Sequence, residues 1–252
     1  MERIKQALER ARAERQGQTP ASVNGSPTAA PAASNSKTPA QTPAEEVIYS
    51  QTRNIEVSNS ELRANRVVSG FDACTFTDAY KMLRTQVLQR LNDNNWNVLA
   101  VTSPGHGEGK SLTALNLAIS IAMEVDYTVL LVDANLRHPS LHTHLGLINE
   151  KGLSDYLLED TPLSELFIHP KGIDHLTLLP GGRAMQNSSE MLNSPKMSRL
   201  VEELKSRYAS RIVIFDLPPV LNASDAMAFA PYVDATLLVV ESGRTKIGRA
   251  HV

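Results

Sequence analysis

The chain has 252 residues, with 25 Lys plus Arg against 27 Asp plus Glu; its formal net charge of -2 excludes a global basic field drawing it to nucleic acid or anionic lipid. A single cysteine, Cys74, excludes an intramolecular disulfide and suits a reducing compartment. The longest apolar runs, near Val129–Val132 and Thr236–Val240, are too short to cross a bilayer, and no apolar signal core follows Met1, so a cytoplasmic protein is expected.

In chain order, residues 1–16 are rich in Glu, Arg and Ala and place Ile4, Leu8 and Ala11 on one face, which predicts a short amphipathic helix. It reads either as a solvated charged helix or as a docking segment. Residues 17–45 are Pro, Ala, Ser, Thr, Gln and Asn with almost no large apolar side chain, and predict a disordered linker. A single domain is expected over 46–246, entered through a weakly patterned stretch where Val47-Ile48-Tyr49 could form an edge strand.

From Thr77 onward helical and strand patterns alternate, as in an α/β fold with a mostly parallel sheet flanked by helices. Thr77 is read as the cap of a helix reaching Leu91, followed by a strand over 96–102, a helix over 110–123 and a strand over 128–133. A short helix over 153–158, a strand over 175–179 and a helix over 195–208 come next, then strands over 211–216 and 234–240. Runs such as Val129-Leu130-Leu131-Val132 and Ile212-Val213-Ile214-Phe215 predict strands buried on both faces. The last six residues, Ile247-Gly248-Arg249-Ala250-His251-Val252, match the translation of a sequencing-adapter read. The domain is therefore expected to be truncated at its C-terminus, with a genuine polar tail as the alternative.

Chemistry concentrates in Val98-Leu99-Ala100-Val101-Thr102-Ser103-Pro104-Gly105-His106-Gly107-Glu108-Gly109-Lys110-Ser111. A phosphate-binding loop needs small residues so that backbone N–H groups converge on oxygens, and a helix whose N-terminal dipole favours the anion. Gly105, Gly107 and Gly109 meet the first need and the helix from Lys110 the second, which predicts ATP with Mg²⁺ as the ligands. Nucleotide contacts are expected from Gly105, His106, Gly107, Glu108, Gly109, Lys110, Ser111 and Leu112, with Lys110 on the β- and γ-phosphates and Ser111 on the metal. Pro104 stands where the strict P-loop pattern has glycine, so Gly105 is read as taking over the turn.

Asp133 and Asp216 each close an apolar strand, where ligands bind in open α/β sheets. Both are candidate catalytic residues and, with Ser111, candidate Mg²⁺ ligands; Asp133 could orient the metal or accept a proton. Arg137 is a further catalytic candidate, for charge stabilisation or a subunit contact. His138, His142 and His144 lack an acid or cysteine in ligand spacing and are not read as a metal site.

The loop ending Gly107-Glu108-Gly109-Lys110-Ser111, the strand end Asp133-Ala134-Asn135-Leu136-Arg137 and Phe215-Asp216-Leu217-Pro218-Pro219 together resemble the Walker A, A′ and B motifs of bacterial tyrosine kinases. Tyr80–Leu88, Leu99–Gly105 and Ala226–Asp234 look like the exosortase-associated autokinase branch, and the resemblance covers about residues 74–245. It implies ATP-dependent autophosphorylation on tyrosine linked to exopolysaccharide synthesis and export. It also implies a membrane chain-length-determinant (polysaccharide co-polymerase) protein as activator, recruitment to the inner membrane by such a partner, and a cognate tyrosine phosphatase.

By the same resemblance Asp78, Lys81 and Arg84 occupy the place of a self-association helix, with a solvated polar face as the plainer reading. Asn135 departs from the family, many of whose members have Asp there. The six tyrosines are scattered and none reads as the phosphoacceptor, so the chain is expected to bind nucleotide but to autophosphorylate poorly. A MinD/ParA-like ATPase without kinase activity is the rival reading, opposed by Gly105 where those proteins carry a signature lysine; an inactive nucleotide-binding regulator is the third.

Overall fold

Strands in which every residue is buried must lie inside a sheet covered on both faces, and VLAVT, TVLLVD and RIVIFD all do so here. The computed structural model describes residues 52–68, 75–148, 151–207, 210–222 and 224–245. The expected N-terminal helix, the linker, Val47–Tyr49, Cys74 and the last six residues lie outside them.

The described elements run β1 (Arg53–Glu56), α1 (Asn59–Ala64), α2 (Thr75–Asn94), β2 (Val98–Thr102), α3 (Lys110–Ala122), β3 (Thr128–Asp133) and α4 (Leu141–His144). They continue with α5 (Leu153–Glu159), α6 (Leu163–Leu166), β4 (Ile168–Lys171), β5 (Leu176–Leu179), α7 (Ser188–Leu192) and α8 (Pro195–Ser206). Last come β6 (Arg211–Asp216), α9 (Asp225–Phe229), a 3-10 turn (Ala230–Tyr232) and β7 (Ala235–Leu238).

The strands form one sheet in the order β1-β4-β5-β3-β6-β2-β7, parallel throughout except at β4–β5. Alternate residues of each central strand feed two separate cores, as the period of two requires. Leu99, Val101, Leu131 and Ile214 pack with Leu91 of α2 and Leu115 and Ile121 of α3. Val98, Ala100, Leu130, Val132 and Phe215 pack on the opposite face with Met197 and Leu200 of α8 and Phe229 of α9. Because β6 lies between β2 and β3, the C-terminal ends of all three open side by side, the position at which such sheets bind ligands.

The strands at 128–133 and 211–216 have their expected bounds. Thr77 is not a helix cap: α2 already includes Thr75, and Thr77 is buried within the helix. The last strand is shorter than expected, since the Asp234 carboxylate instead accepts the N–H groups of Asn97 and Val98 at 3.1 Å and so ties the entry of β7 to that of β2. β1 and β4 went unread because RNIE and IHPK are four residues long and only alternate side chains of β4 are buried.

Candidate nucleotide-binding site

The loop between β2 and α3 takes its shape from two glycines in the left-handed region, Gly107 at φ 75° and Gly109 at φ 86°. A Cβ on Gly109 would meet nothing within 4 Å, so backbone conformation rather than crowding demands glycine there and the space above the loop is open. The residues after β6 lace onto the loop's first half. Val220 N donates to Ser103 O at 2.9 Å, Leu221 N to Pro104 O at 3.2 Å, and Thr102 Oγ1 to Pro218 O at 2.7 Å.

Glu108 turns back on its own loop. Its Oε1 accepts from Gly105 N at 2.7 Å and Thr245 Oγ1 at 2.8 Å, and its Oε2 accepts from Glu241 N at 3.0 Å. Burial raises its pKa, but these three hydrogen bonds and the nearby Arg244 guanidinium together hold the carboxyl below its usual range. Its side chain thus braces the loop against the residues after β7, and the Gly105 N–H is engaged by that brace. Beyond it lies a cavity of about 450 Å³ between the loop, Leu221 and Asn222, and Arg244 and Thr245.

Lys110, Ser111, Asp133 and Asp216 converge as the sequence led us to expect. Lys110 Nζ lies 2.9 Å from Ser111 Oγ and 3.1 Å from Asp216 Oδ1. Asp133 and Asp216 are direct partners across β3 and β6, both with side chains sealed from solvent. Asp133 accepts from Asn135 N at 3.2 Å, Ser140 N at 2.8 Å and Leu141 N at 3.0 Å. Burial first, and the Asp216 charge second, push its carboxyl up to about 7 against the pull of the Leu141 and Ser140 amides and of Lys110.

Two carboxylates against one lysine leave an excess of buried negative charge, and the donors around it are all oxygens. Ser140 Oγ adds a hydroxyl 3.3 Å from Ser111 Oγ, and Asn135 Oδ1 is a buried acceptor without a hydrogen-bond partner among the described residues. Such a set fits a hard divalent cation like Mg²⁺. Since a protonated carboxyl cannot serve as such a ligand, Mg²⁺-dependent nucleotide affinity is expected to rise with pH through about 7. The linked stability runs the other way: a carboxyl raised on folding makes the nucleotide-free protein lose stability as pH climbs from the unfolded range to about 7. Titrations of MgADP affinity and thermal melts from pH 5 to 8.5 check both slopes; parallel slopes would contradict the assignment.

Other expected residues sit elsewhere. Leu112 packs its side chain against the core. His106 is exposed, with its ring 5.8 Å from that of His138 in an edge-on arrangement. Arg137 is bound not to the Lys110 group but to buried Asp225. Asp78 and Lys81 pair with each other at 3.2 Å on the surface of α2, whereas Arg84 turns inward, donating to Ser120 O at 2.9 Å and pairing with Glu124 at 2.6 Å at the end of α3. Tyr127 accepts from Asn92, Tyr156 lies under Lys196 and Tyr232 donates to Asn193, all packing roles. Sequence reasoning missed Ser140 and Asp225, although Ser140 lies only seven residues beyond Asp133 and Asp225 directly precedes a stretch noted for resemblance.

The AAA domain family matches residues 96–243. Tyrosine-protein kinase YwqD of Bacillus subtilis is 35% identical over 170 residues, covering 68% of this chain and 70% of that protein. Succinoglycan biosynthesis transport protein ExoP of Rhizobium meliloti is 34% identical over 191 residues, 73% of this chain but only 23% of that longer protein. The solved kinase domain of Escherichia coli tyrosine kinase ETK is 31% identical with a TM-score of 0.63, over 69% of this chain and 66% of that one. Among the described residues no helix is long and apolar enough to cross a membrane.

Proposed function

The chain belongs to the bacterial tyrosine-kinase family built on the AAA domain, and from that premise we propose that it is an ATP-dependent protein-tyrosine autokinase regulating exopolysaccharide synthesis and export. The observation that carries the reading is the convergence of Lys110, Ser111, Asp133 and Asp216 at the ends of three adjacent parallel strands.

Phosphoryl transfer is chiefly positioning and charge neutralisation. Lys110 sits where it can draw charge from the phosphates, and the loop's backbone and the start of α3 cradle them. Bound Mg²⁺, held by Ser111, Asp133 and Asp216, would neutralise phosphate charge. As the tyrosine oxygen bonds to the γ-phosphorus and the bond to the ADP oxygen breaks, the phenolic proton has to leave. Asp133 is the candidate acceptor by its place at the end of β3, beside Asp216 and the phosphate loop. The cavity beside Glu108 and Arg244 offers room for the rest of the nucleotide.

A membrane co-polymerase partner and recruitment to the inner membrane by it, a cognate phosphatase and self-association through α2 complete the proposal. It is supported by the polysaccharide role in the name of ExoP. Because Arg84 is engaged within its own chain, Asp78 and Lys81 would make the outward contacts of α2.

The test is incubation with labelled ATP, Mg²⁺ and a tyrosine-bearing acceptor peptide, followed by phosphoamino-acid analysis. Phosphotyrosine is the expected product. Free phosphate alone would favour the MinD/ParA-like ATPase reading, and no turnover at all the inactive regulator.

A further inference from the structure

Arg137 is held in a way that its distance from Lys110 in the sequence does not suggest. Its Nε donates to both oxygens of Asp225, at 3.0 Å to Oδ2 and 3.3 Å to Oδ1. That carboxylate is fully buried at the start of α9 and also accepts from Ser188 Oγ at the start of α7. The stretch bearing Arg137 is fixed on both sides: Leu136 O accepts from Met185 N at 2.8 Å, and the neighbouring His138 ring stands 5.8 Å from that of His106 in the phosphate loop. Arg137 lies in the chain between Asn135, whose N–H donates to Asp133, and Ser140, whose hydroxyl is 3.3 Å from that of Ser111, and its side chain is 35% exposed while its partner is wholly enclosed.

The choice of nitrogen matters. A carboxylate that grips an arginine by Nε fixes the plane of the group and leaves the two terminal nitrogens, which have no hydrogen-bond partner among the described residues. A buried carboxylate that accepts, among the described residues, from one hydroxyl and one guanidinium also keeps the arginine from wandering, because an unpaired buried charge is costly. We infer that Asp225 is a positioning residue that holds Arg137 by its Nε, so that the terminal nitrogens meet the negative charge of the phosphoryl group in flight. The inference rests on the phosphoryl-transfer reading of the loop and adds to it a group that acts through another. Ser188 Oγ donates to the same carboxylate, at Oδ1.

The test compares affinity for MgADP with affinity for MgADP plus aluminium tetrafluoride, a mimic of the transferring phosphoryl, in the full chain. Asp225→Asn keeps the shape but removes the charge. Arg137→Lys keeps a cation beside Asp225 but has one nitrogen in place of three, so it cannot both pair and reach outward. Each is expected to weaken binding of the mimic about ten- to a hundredfold, the usual cost of losing an orienting partner, while MgADP affinity stays within about twofold. The double variant is expected to be no weaker than Arg137→Lys alone.

Losses that multiply in the double variant would overturn the inference. So would MgADP affinity falling in step with that of the mimic, or a wild-type protein that does not prefer the mimic. The ratio of the two affinities is the decisive readout because loss of packing alone lowers both. If the wild type yields free phosphate but no phosphotyrosine while the coupling persists, the kinase reading fails and the role of Asp225 stands.

Discussion

Lys110→Met is expected to abolish phosphotyrosine formation and, separately, to lower the melting temperature of the nucleotide-free protein by roughly 10 °C. The first effect follows because Lys110 Nζ is the cation that lies against Ser111 and Asp216 at the loop. The second follows because Lys110 and Asp216 form a buried pair, and removing one partner of such a pair costs about 3–5 kcal/mol. The substitution would leave Asp216 facing Asp133 with no lysine paired to it. Its deficit should therefore narrow at acid pH, where one carboxyl takes up a proton and the repulsion disappears. Adding Asp216→Asn should restore most of the melting temperature and none of the phosphotyrosine. Thermal melts from pH 5 to 8.5 beside phosphoamino-acid analysis separate the two effects. A Lys110→Met protein that melts like wild type at pH 8 would show that the pair is not buried as described.

The second large effect lies away from the phosphates. A Cβ added at Gly152 would stand 2.1 Å from Pro180 O and 2.4 Å from Gly182 N, both backbone atoms that cannot step aside cheaply. Two hydrogen bonds lock the same contact, Leu153 N to Pro180 O at 2.7 Å and Ser154 N to Gly181 O at 3.0 Å. Gly152→Ala is expected to cost about 3 kcal/mol or more. The disturbance should reach the site, because Gly181 packs against Pro139 and the carbonyl of Asp133. MgADP affinity should fall along with stability. Gly172→Ala is the matched control: its φ of 86° is left-handed but nothing lies within 4 Å of a Cβ there, so strain alone, about 1 kcal/mol, is expected. Equal losses in the two variants, read from denaturant melts, would reject the close-approach account.

Both predictions turn on residues that differ in how far the sequence exposes them. The Lys110 group was legible because its parts sit at fixed offsets from patterns that a linear reading can detect. Three glycines precede a helix start, and two continuous apolar strands each end in aspartate. The partners of Arg137, Glu108 and Arg84 were not legible. Arg137 meets Asp225 88 positions away, Glu108 meets Thr245 137 positions away, and Arg84 reaches the end of α3. No spacing rule links such pairs, because the folded sheet, rather than the helical or strand period, brings them together.

By itself, then, the sequence determined the central strands, the phosphate loop with its lysine and serine, and the two strand-end carboxylates. These are local matters of apolar period, glycine conformation and chain punctuation. Only the tertiary structure decided that β6 lies between β2 and β3, so that Asp133 and Asp216 face each other and Lys110 pairs with Asp216. It also decided that Asp133 is raised to about 7 and that Arg137 is gripped from behind by Asp225. Burial and charge proximity are properties of the packed state, and they arise only when distant segments exclude water from the same small volume.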